Sequence, residues 1–347
     1  MNSRRLLYAP NIHQGGGKVL LLPVLEALQG ADDVVFVLDD RMRLPDGVKL
    51  AGEVYRVKAT LFSRLVFEWR LSNLILADTL LLCMGNLPPL FAHKGYQQVF
   101  VQNRYLIDEV SLGSFGLPVR IRLMIERWWL RSRSRYVSRF IVQTPTMKQL
   151  IRKSLYVDAE VFPFTAATAE VELPKADHRR RYDFLYVASG EPHKNHKRLI
   201  EAWTILAEKR IFPSLCLTLD AKRSPDLCTW ISAEAEEYGL NVAIIGECSH
   251  DEVQRLYRQS AAVIYPSLFE SFGLPLVEAA TVGLPILASN SSYVTDVIWA
   301  TDHFDALSSH SIADAVSRFS FQPASLSVDL LSAGEFLRQV FRRSEAD

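Results

Sequence analysis

The feature that most constrains the fold of this chain is an alternation. Short apolar runs of strand length follow one another along nearly the whole sequence, separated by longer amphipathic stretches. Strand and helix signals in that order are what parallel βα units produce, with helices covering both faces of a sheet. In the first half the strand runs are Arg5–Ala9, Val34–Leu38, Leu80–Met84, Val99–Val101 and Phe140–Gln143. Helices are predicted over Phe62–Leu76, Val119–Tyr136 and Pro145–Ser154, the last with Thr144 as its cap and Pro145 at the first helical position. Pro23 should kink or delay a helix over Lys18–Leu28. In the second half strands are predicted at Phe184–Ala188, Leu215–Leu219, Val242–Ile245, Ala262–Tyr265 and Pro285–Ala288. Helices are predicted at Lys197–Lys209, Pro225–Tyr238, Asp251–Ser260 and Pro275–Val282.

Between Phe164 and Arg181 the rhythm fails, in a segment holding Pro174, small residues and the run HRRR. The boundaries follow: a first domain over 1–165, a linker over 166–181 and a second domain over 182–347, whose last helix is free to pack back on the first. Two cores also suit 347 residues. The expected class is α/β, with doubly wound sheets whose ligand crevices lie beyond the carboxyl ends of the strands. Lys+Arg and Asp+Glu both number 39, so no global attraction to nucleic acid is indicated. Cys83, Cys216, Cys228 and Cys248 form no C-x-x-C pair and are read as reduced and mostly buried, which suits a cytoplasmic protein. The opening MNSRRLLYAP reads as a first strand rather than a signal peptide. Leu74–Met84, interrupted by Asp78, falls well short of the ~20 residues of a spanning helix.

The most informative stretch is Tyr265–Glu278, YPSLFESFGLPLVE. A strand ends near Tyr265, a loop carries Glu270, Gly273 lets backbone approach a ligand, and Pro275 opens a helix. The amides of Gly273 and Leu274, with the free N–H groups of the helix start, would form an anion site suited to phosphate. Glu278 is expected in the first turn of that helix, where the dipole favours a carboxylate. Two carboxylates for polyols and an amide nest between them fit a sugar nucleotide. A second stretch, Tyr186–Trp203, places Lys194 in a loop between a strand and a helix, where it can neutralise a leaving diphosphate. A third, His13–Lys18, is a run of three glycines after the first strand, lacking the phosphate-loop pattern and readable as a simple flexible loop. In a fourth, Val99–Ile107, Asn103 stands at a strand's carboxyl end, either to meet a sugar or to cap a turn.

YPSLFESFGLPLVEAATVGLPILASN resembles the donor-site signature of the retaining glycosyltransferases of family 4, the group 1 glycosyltransferases. That resemblance implies the GT-B fold, two Rossmann-like doubly wound domains facing across a cleft. It covers about Tyr182–Ser292 and is looser in the first half. It implies that Glu270 contacts the transferred sugar, Glu278 binds the ribose hydroxyls, and the backbone of Phe272, Gly273 and Leu274 meets the diphosphate. Lys194 matches the family's phosphate-binding lysine, so Glu270 and Lys194 are the catalytic candidates. Gly16 and Gly17 match a glycine-rich loop near the donor phosphates, and Asn103 stands near a polar position facing the sugar or acceptor. One departure is plain: many members place an arginine six residues before the lysine, and this chain has Ala188, leaving Lys197 or Arg198 to contribute charge.

The implied activity is that of a metal-independent, retaining hexosyltransferase. It would move a sugar from a nucleotide-sugar donor to a glycan or lipid-linked acceptor, in surface polysaccharide or lipopolysaccharide synthesis. In the family the departing phosphate is thought to assist the incoming hydroxyl on the same face. No metal site is read, and no cofactor beyond the donor. Other GT-B enzymes, an epimerase or a phosphorylase, and a non-catalytic nucleotide-sugar binder are the alternatives. Finally, Val119–Arg139 carries seven arginines against the single acid Glu126, with Trp128, Trp129 and Tyr136 interleaved. Such a segment suits an anionic membrane surface, and so a peripheral location on the inner face of the plasma membrane. An ordinary helix burying its tryptophans and an arginine-lined acceptor cleft fit the same residues.

Overall fold

The computed structural model describes residues 4–91, 93–113, 115–165 and 180–342. They divide into two compact units. The first holds the chain up to Thr168 together with Leu330 onward, and the second holds Ala169–Asp329. Leu330 onward therefore belongs to the first unit, and the second ends earlier than the 182–347 of the sequence reading. Of the expected linker, 166–179 lies outside the described residues.

In the first unit the elements are β1 (Arg5–Ala9), α1 (Gly15–Ala27), β2 (Val34–Asp39), β3 (Val54–Val57), α2 (Leu61–Leu74) and β4 (Leu80–Cys83). They continue with β5 (Tyr96–Phe100), α3 (Leu117–Arg133), β6 (Arg139–Val142), α4 (Pro145–Leu155) and β7 (Ala159–Val161). The sheet is parallel throughout, in the order β3-β2-β1-β4-β5-β6-β7. Alternate residues go to opposite faces. Leu6, Tyr8, Val35, Val37, Leu81, Cys83, Val99, Val101, Phe140 and Val142 share one core with Phe67 and Leu71 of α2, Leu123 and Leu130 of α3, and Met147 and Ile151 of α4. Thr144 caps α4 by accepting from the Met147 N–H at 3.2 Å.

Three local expectations change. The glycines of His13–Lys18 are not a loop: Gly15, Gly16 and Gly17 form the first turn of α1. That helix then runs through Pro23 to Ala27. Proline forfeits one main-chain bond there, but the buried row Leu20, Leu21, Val24 and Leu25 anchors the helix on either side of it. Strands β3 and β7 have no counterpart in the sequence reading, because each is a short edge strand with exposed residues and no continuous apolar run.

The second unit comprises β8 (Tyr182–Tyr186), α5 (His196–Glu208), β9 (Leu215–Leu217), α6 (Pro225–Tyr238), β10 (Val242–Ile244), α7 (His250–Gln259), β11 (Ser260–Tyr265) and α8 (Leu274–Thr281). There follow β12 (Ile286–Ser289), α9 (Ser292–Thr295), β13 (Ile298–Trp299), β14 (Asp302–Phe304), α10 (Ser309–Ser317) and β15 (Ser325–Leu326). A parallel sheet runs in the order β10-β9-β8-β11-β12-β14, and β13 pairs with β15 apart from it. The chain works outward from β8 to one edge, then returns to the other side of β8 with β11. This reversal opens a crevice between the carboxyl ends of those two strands. The last helix, α11 (Ala333–Val340), belongs to the first unit. Its Phe336 stacks on Phe164 at 4.1 Å between ring centroids and meets Phe100 edge-on at 5.5 Å.

Candidate active site

The two strands that flank the reversal carry the two stretches singled out in the sequence. β8 leads into the turn Pro192–Lys194 and then α5, while β11 leads through Pro266–Gly273 into α8. Side chains and backbone bind these loops together. The Leu268 N–H donates to the His193 carbonyl at 2.8 Å, and the His193 and Phe269 rings stack at 4.9 Å. Tyr186 Oη donates to the Lys194 carbonyl at 2.8 Å and lies 2.9 Å from Ser267 Oγ. Asn195, in a left-handed conformation at φ 62°, donates through Nδ2 to the carbonyls of Pro266 at 3.1 Å and Ala306 at 2.7 Å. Asparagine tolerates that conformation better than most side chains. The crevice wall is thus fixed before any ligand enters.

Lys194 and Glu270 meet on this wall. Nζ lies 2.6 Å from Glu270 Oε1, with side chains only 14% and 11% exposed. The same oxygen accepts from Tyr265 Oη at 3.2 Å. Burial, reinforced by the Glu270 charge, pushes the Tyr265 and Tyr186 hydroxyls well above the usual tyrosine range. Both therefore stay protonated and serve as donors. A charged pair this enclosed holds its geometry firmly, and an ammonium so placed is suited to an anion at the mouth of the crevice.

Gly273 begins α8 at φ 78°. A Cβ there would sit in a conformation that side chains rarely adopt and come within 3.1 Å of Leu276 Cδ1. Pro275 has no N–H, and the Leu276 N–H returns to the Gly273 carbonyl at 2.9 Å. The Leu274 amide, first of the helix, has no acceptor within it. Phe272 itself is buried, at 2% exposure, so only its backbone is presented at the loop.

Glu278 differs from expectation. It is the fifth residue of α8, in the second turn rather than the first, so the helix dipole does not govern it. Burial raises its carboxyl above the usual range, against the hydrogen bond from Tyr257 and the charge of His250. Tyr257 Oη donates to Oε2 at 2.9 Å, and His250 Nδ1 stands 3.9 Å from Oε1. Tyr257, Tyr186, Ser267 and Asn195 are the supporting residues that sequence reasoning missed. Only Asn195 left a signal, as the residue after Lys194 and just before a helix.

The other residues singled out lie elsewhere. Gly16, Gly17 and Asn103 belong to the first unit. Asn103 Oδ1 accepts from the Tyr105 N–H at 3.1 Å, capping the turn Arg104–Leu106. Where an arginine was expected, the Ala188 N–H donates to Thr218 Oγ1 at 3.1 Å. Of the two proposed replacements, Arg198 is held by a neighbour while Lys197 is exposed beside a ring. The Arg198 guanidinium donates to Asn195 Oδ1 at 3.1 Å, and Lys197 Nζ lies 5.6 Å from the Trp230 ring centroid. Among the described residues no group of three His, Cys, Asp or Glu side chains is placed to share a metal ion.

Comparison with known proteins follows the same division. Residues 172–327, just under half of the chain, match the family model described as glycosyl transferases group 1. O-antigen chain mannosyltransferase B of Escherichia coli is 28% identical over 133 residues, 36% of this chain and 35% of that protein. The serotype-specific mannosyltransferase WbdA, also of Escherichia coli, is 34% identical over 119 residues, 33% of this chain and 14% of that protein. The matches therefore span well under two thirds of these relatives' lengths. Among solved structures, Anabaena HepE in complex with UDP and glucose superposes with a TM-score of 0.62 at 13% identity, over 97% of this chain and 94% of that one. The fold is that of the GT-B glycosyltransferases, and the half of the chain that carries Lys194, Glu270 and Glu278 matches the group 1 glycosyl transferases.

Proposed function

We propose that this protein is a retaining, metal-independent glycosyltransferase of family 4. It would move a hexose from a nucleotide-sugar donor to a glycan or lipid-linked acceptor in lipopolysaccharide or surface-polysaccharide synthesis. The observation that carries this reading is the Lys194–Glu270 pair at 2.6 Å, fixed beside the Gly273 start of α8 between the two strands of the reversal. The similarity to O-antigen mannosyltransferases supports the substrate class. In the reaction the bond from the anomeric carbon to the diphosphate oxygen breaks, and its electron pair leaves with the nucleoside diphosphate. Lys194 and the amides of Gly273 and Leu274 stabilise that charge. The acceptor oxygen bonds to the same carbon on the same face, and its proton passes to the departing phosphate. Glu270 positions the sugar, and Glu278 accepts hydrogen bonds from the ribose.

The test is a transfer assay preceded by a thermal-shift screen of nucleotide-sugars, mannosyl donors among them, since a ligand bound by the native state raises its melting temperature. Glu270→Ala should abolish most transfer while the protein stays folded, and Glu278→Ala should chiefly weaken donor binding. Activity should survive EDTA. Wild-type turnover and donor affinity in both variants would overturn the site. Loss of activity with chelator and recovery with manganese would overturn metal independence. Donor consumption without an acceptor, or a requirement for inorganic phosphate, would point to an epimerase or a phosphorylase. Donor binding with neither turnover nor hydrolysis would point to a non-catalytic binder.

A further inference from the structure

Helix α3 half-buries Trp129 but leaves Trp128 in solvent. Only Leu123 and Leu130 are fully buried along it. At about 100° per residue, Leu117, Ile121, Met124, Ile125 and Trp128 fall on the opposite side, and all five are exposed, Trp128 at 68%. This second apolar stripe is edged by arginines. Arg120 and Arg131 lie along one border, Arg122 and Arg133 along the other, and all but Arg133 are exposed.

Helix α2 repeats the pattern. Phe67 and Leu71 face the core, while Phe62, Leu65 and Trp69 stand out on the far side at 77%, 51% and 63% exposure. The two helices are neighbours on one face of the first sheet. They share its core, with Phe67 and Leu71 of α2 and Leu123 and Leu130 of α3 packed into it. Each leads from one strand of the parallel sheet to a later one, β3 to β4 and β5 to β6, so the helices run in the same direction and turn their outer stripes to the same side. Eight large apolar side chains then expose on the order of 1,000 Å², beyond the ~300–600 Å² of the largest patch on an ordinary monomer.

We infer that the outer faces of α2 and α3 together form a docking surface for an anionic lipid bilayer, with Phe62, Leu65, Trp69, Ile121, Met124 and Trp128 seated at the acyl boundary. The flanking arginines choose this occupant over a second copy of the chain. A self-associating apolar face would bring those like charges together, whereas anionic headgroups neutralise them while the long arginine stems lie along the apolar stripe. Among the described residues no helix is long and apolar enough to cross a membrane, so the contact is one of lying on the surface. The helices of parallel βα units begin at the carboxyl edge of the sheet, which puts Phe62 and Leu117 at the end of this unit where a ligand would enter.

The test is co-sedimentation of the full chain with vesicles of phosphatidylglycerol and phosphatidylcholine at low salt, with tryptophan emission and quenching by brominated lipid read on the same samples. Wild-type protein should bind, shift its emission to the blue and be quenched. Raising salt should weaken binding. Arg120→Glu/Arg131→Glu should lower partitioning by more than about 25-fold, at about fivefold for each arginine lost and further repulsion from each carboxylate gained, and Phe62→Ser/Trp128→Ser about tenfold or more. Both double variants change exposed residues, so their melting temperatures should match wild type. Should one of them unfold, Ile121→Ser/Met124→Ser replaces it, and lipid quenching of wild type needs no variant at all. Absence of binding at low salt, or binding without quenching, would overturn the inference. So would a concentration-dependent dimer that Phe62→Ser/Trp128→Ser abolishes, which would assign the face to a second copy.

Discussion

A buried carboxylate's chemistry is set by its nearest donors more than by its place in a helix, and Glu278 is an example. Burial raises its carboxyl, while the Tyr257 hydrogen bond and the His250 charge oppose the rise. If the ionised form accepts from ribose hydroxyls, donor affinity falls as pH drops through that raised value. Tyr257→Phe removes one of the two opposing contributions, so the carboxyl rises further and the acid limb of the affinity profile moves to higher pH. The effect should appear in KM for the donor rather than in kcat. His250→Ala should move the limb less, because His250 is 53% exposed and 3.9 Å away. An unshifted acid limb in Tyr257→Phe would separate Glu278 from donor binding.

At the scale of elements, the turns entering α5 and α8 hold the site through two residues with positive φ, Asn195 and Gly273. Their substitution costs differ for physical reasons. Gly273→Ala carries the left-handed backbone penalty of roughly 1–2 kcal/mol. Its contact with Leu276 Cδ1 adds little, because the end of a flexible side chain can give way. Asn195→Ala carries a smaller backbone term, because asparagine already bears part of it, but loses two buried bonds, to the Pro266 and Ala306 carbonyls, each worth about 1 kcal/mol or more when an acceptor is left unpaired. Denaturant unfolding should therefore rank Asn195→Ala as the more destabilising. Gly273→Ala should lose more donor affinity than stability, since it displaces the Leu274 amide. The reverse ranking would mean that the two loops are not held by Asn195.

Across the whole molecule, the first unit depends on a segment far from it in sequence. Phe336 of α11 is fully buried against Phe100 and Phe164, and Gln98 Nε2 donates to the Val340 carbonyl at 2.7 Å. Phe336→Ala should cost roughly 3–5 kcal/mol, the usual range for emptying a buried aromatic site. Hydrogen exchange should quicken in β1 and β5 while β8 and β11 keep their protection. Equal loss of protection in both units would show that they unfold as one body.

The sequence alone determined the βα alternation, the positions of most strands along the chain and the two loops that carry Lys194 and Glu270. Those signals are local: apolar runs, a cap at Thr144, prolines at helix starts, a glycine where backbone turns left-handed. It missed β3 and β7, whose short, partly exposed runs look like loop until a neighbouring strand pairs with them. It started β5 three residues late, because Gln97 and Gln98 are polar yet buried and Gln98 finds its partners in Arg139 of β6 and the Val340 carbonyl of α11. It gave Glu278 to the wrong turn and left Tyr257, Tyr186 and Asn195 unassigned, since their partners stand 21, 81 and 71 residues away. The arginines and tryptophans of α3 were legible as a composition. Which of them face solvent, and that α2 lies beside them with a stripe of its own, depended on how the sheet orders its helices. Periodicity records which residues share a face; only packing decides which face is covered.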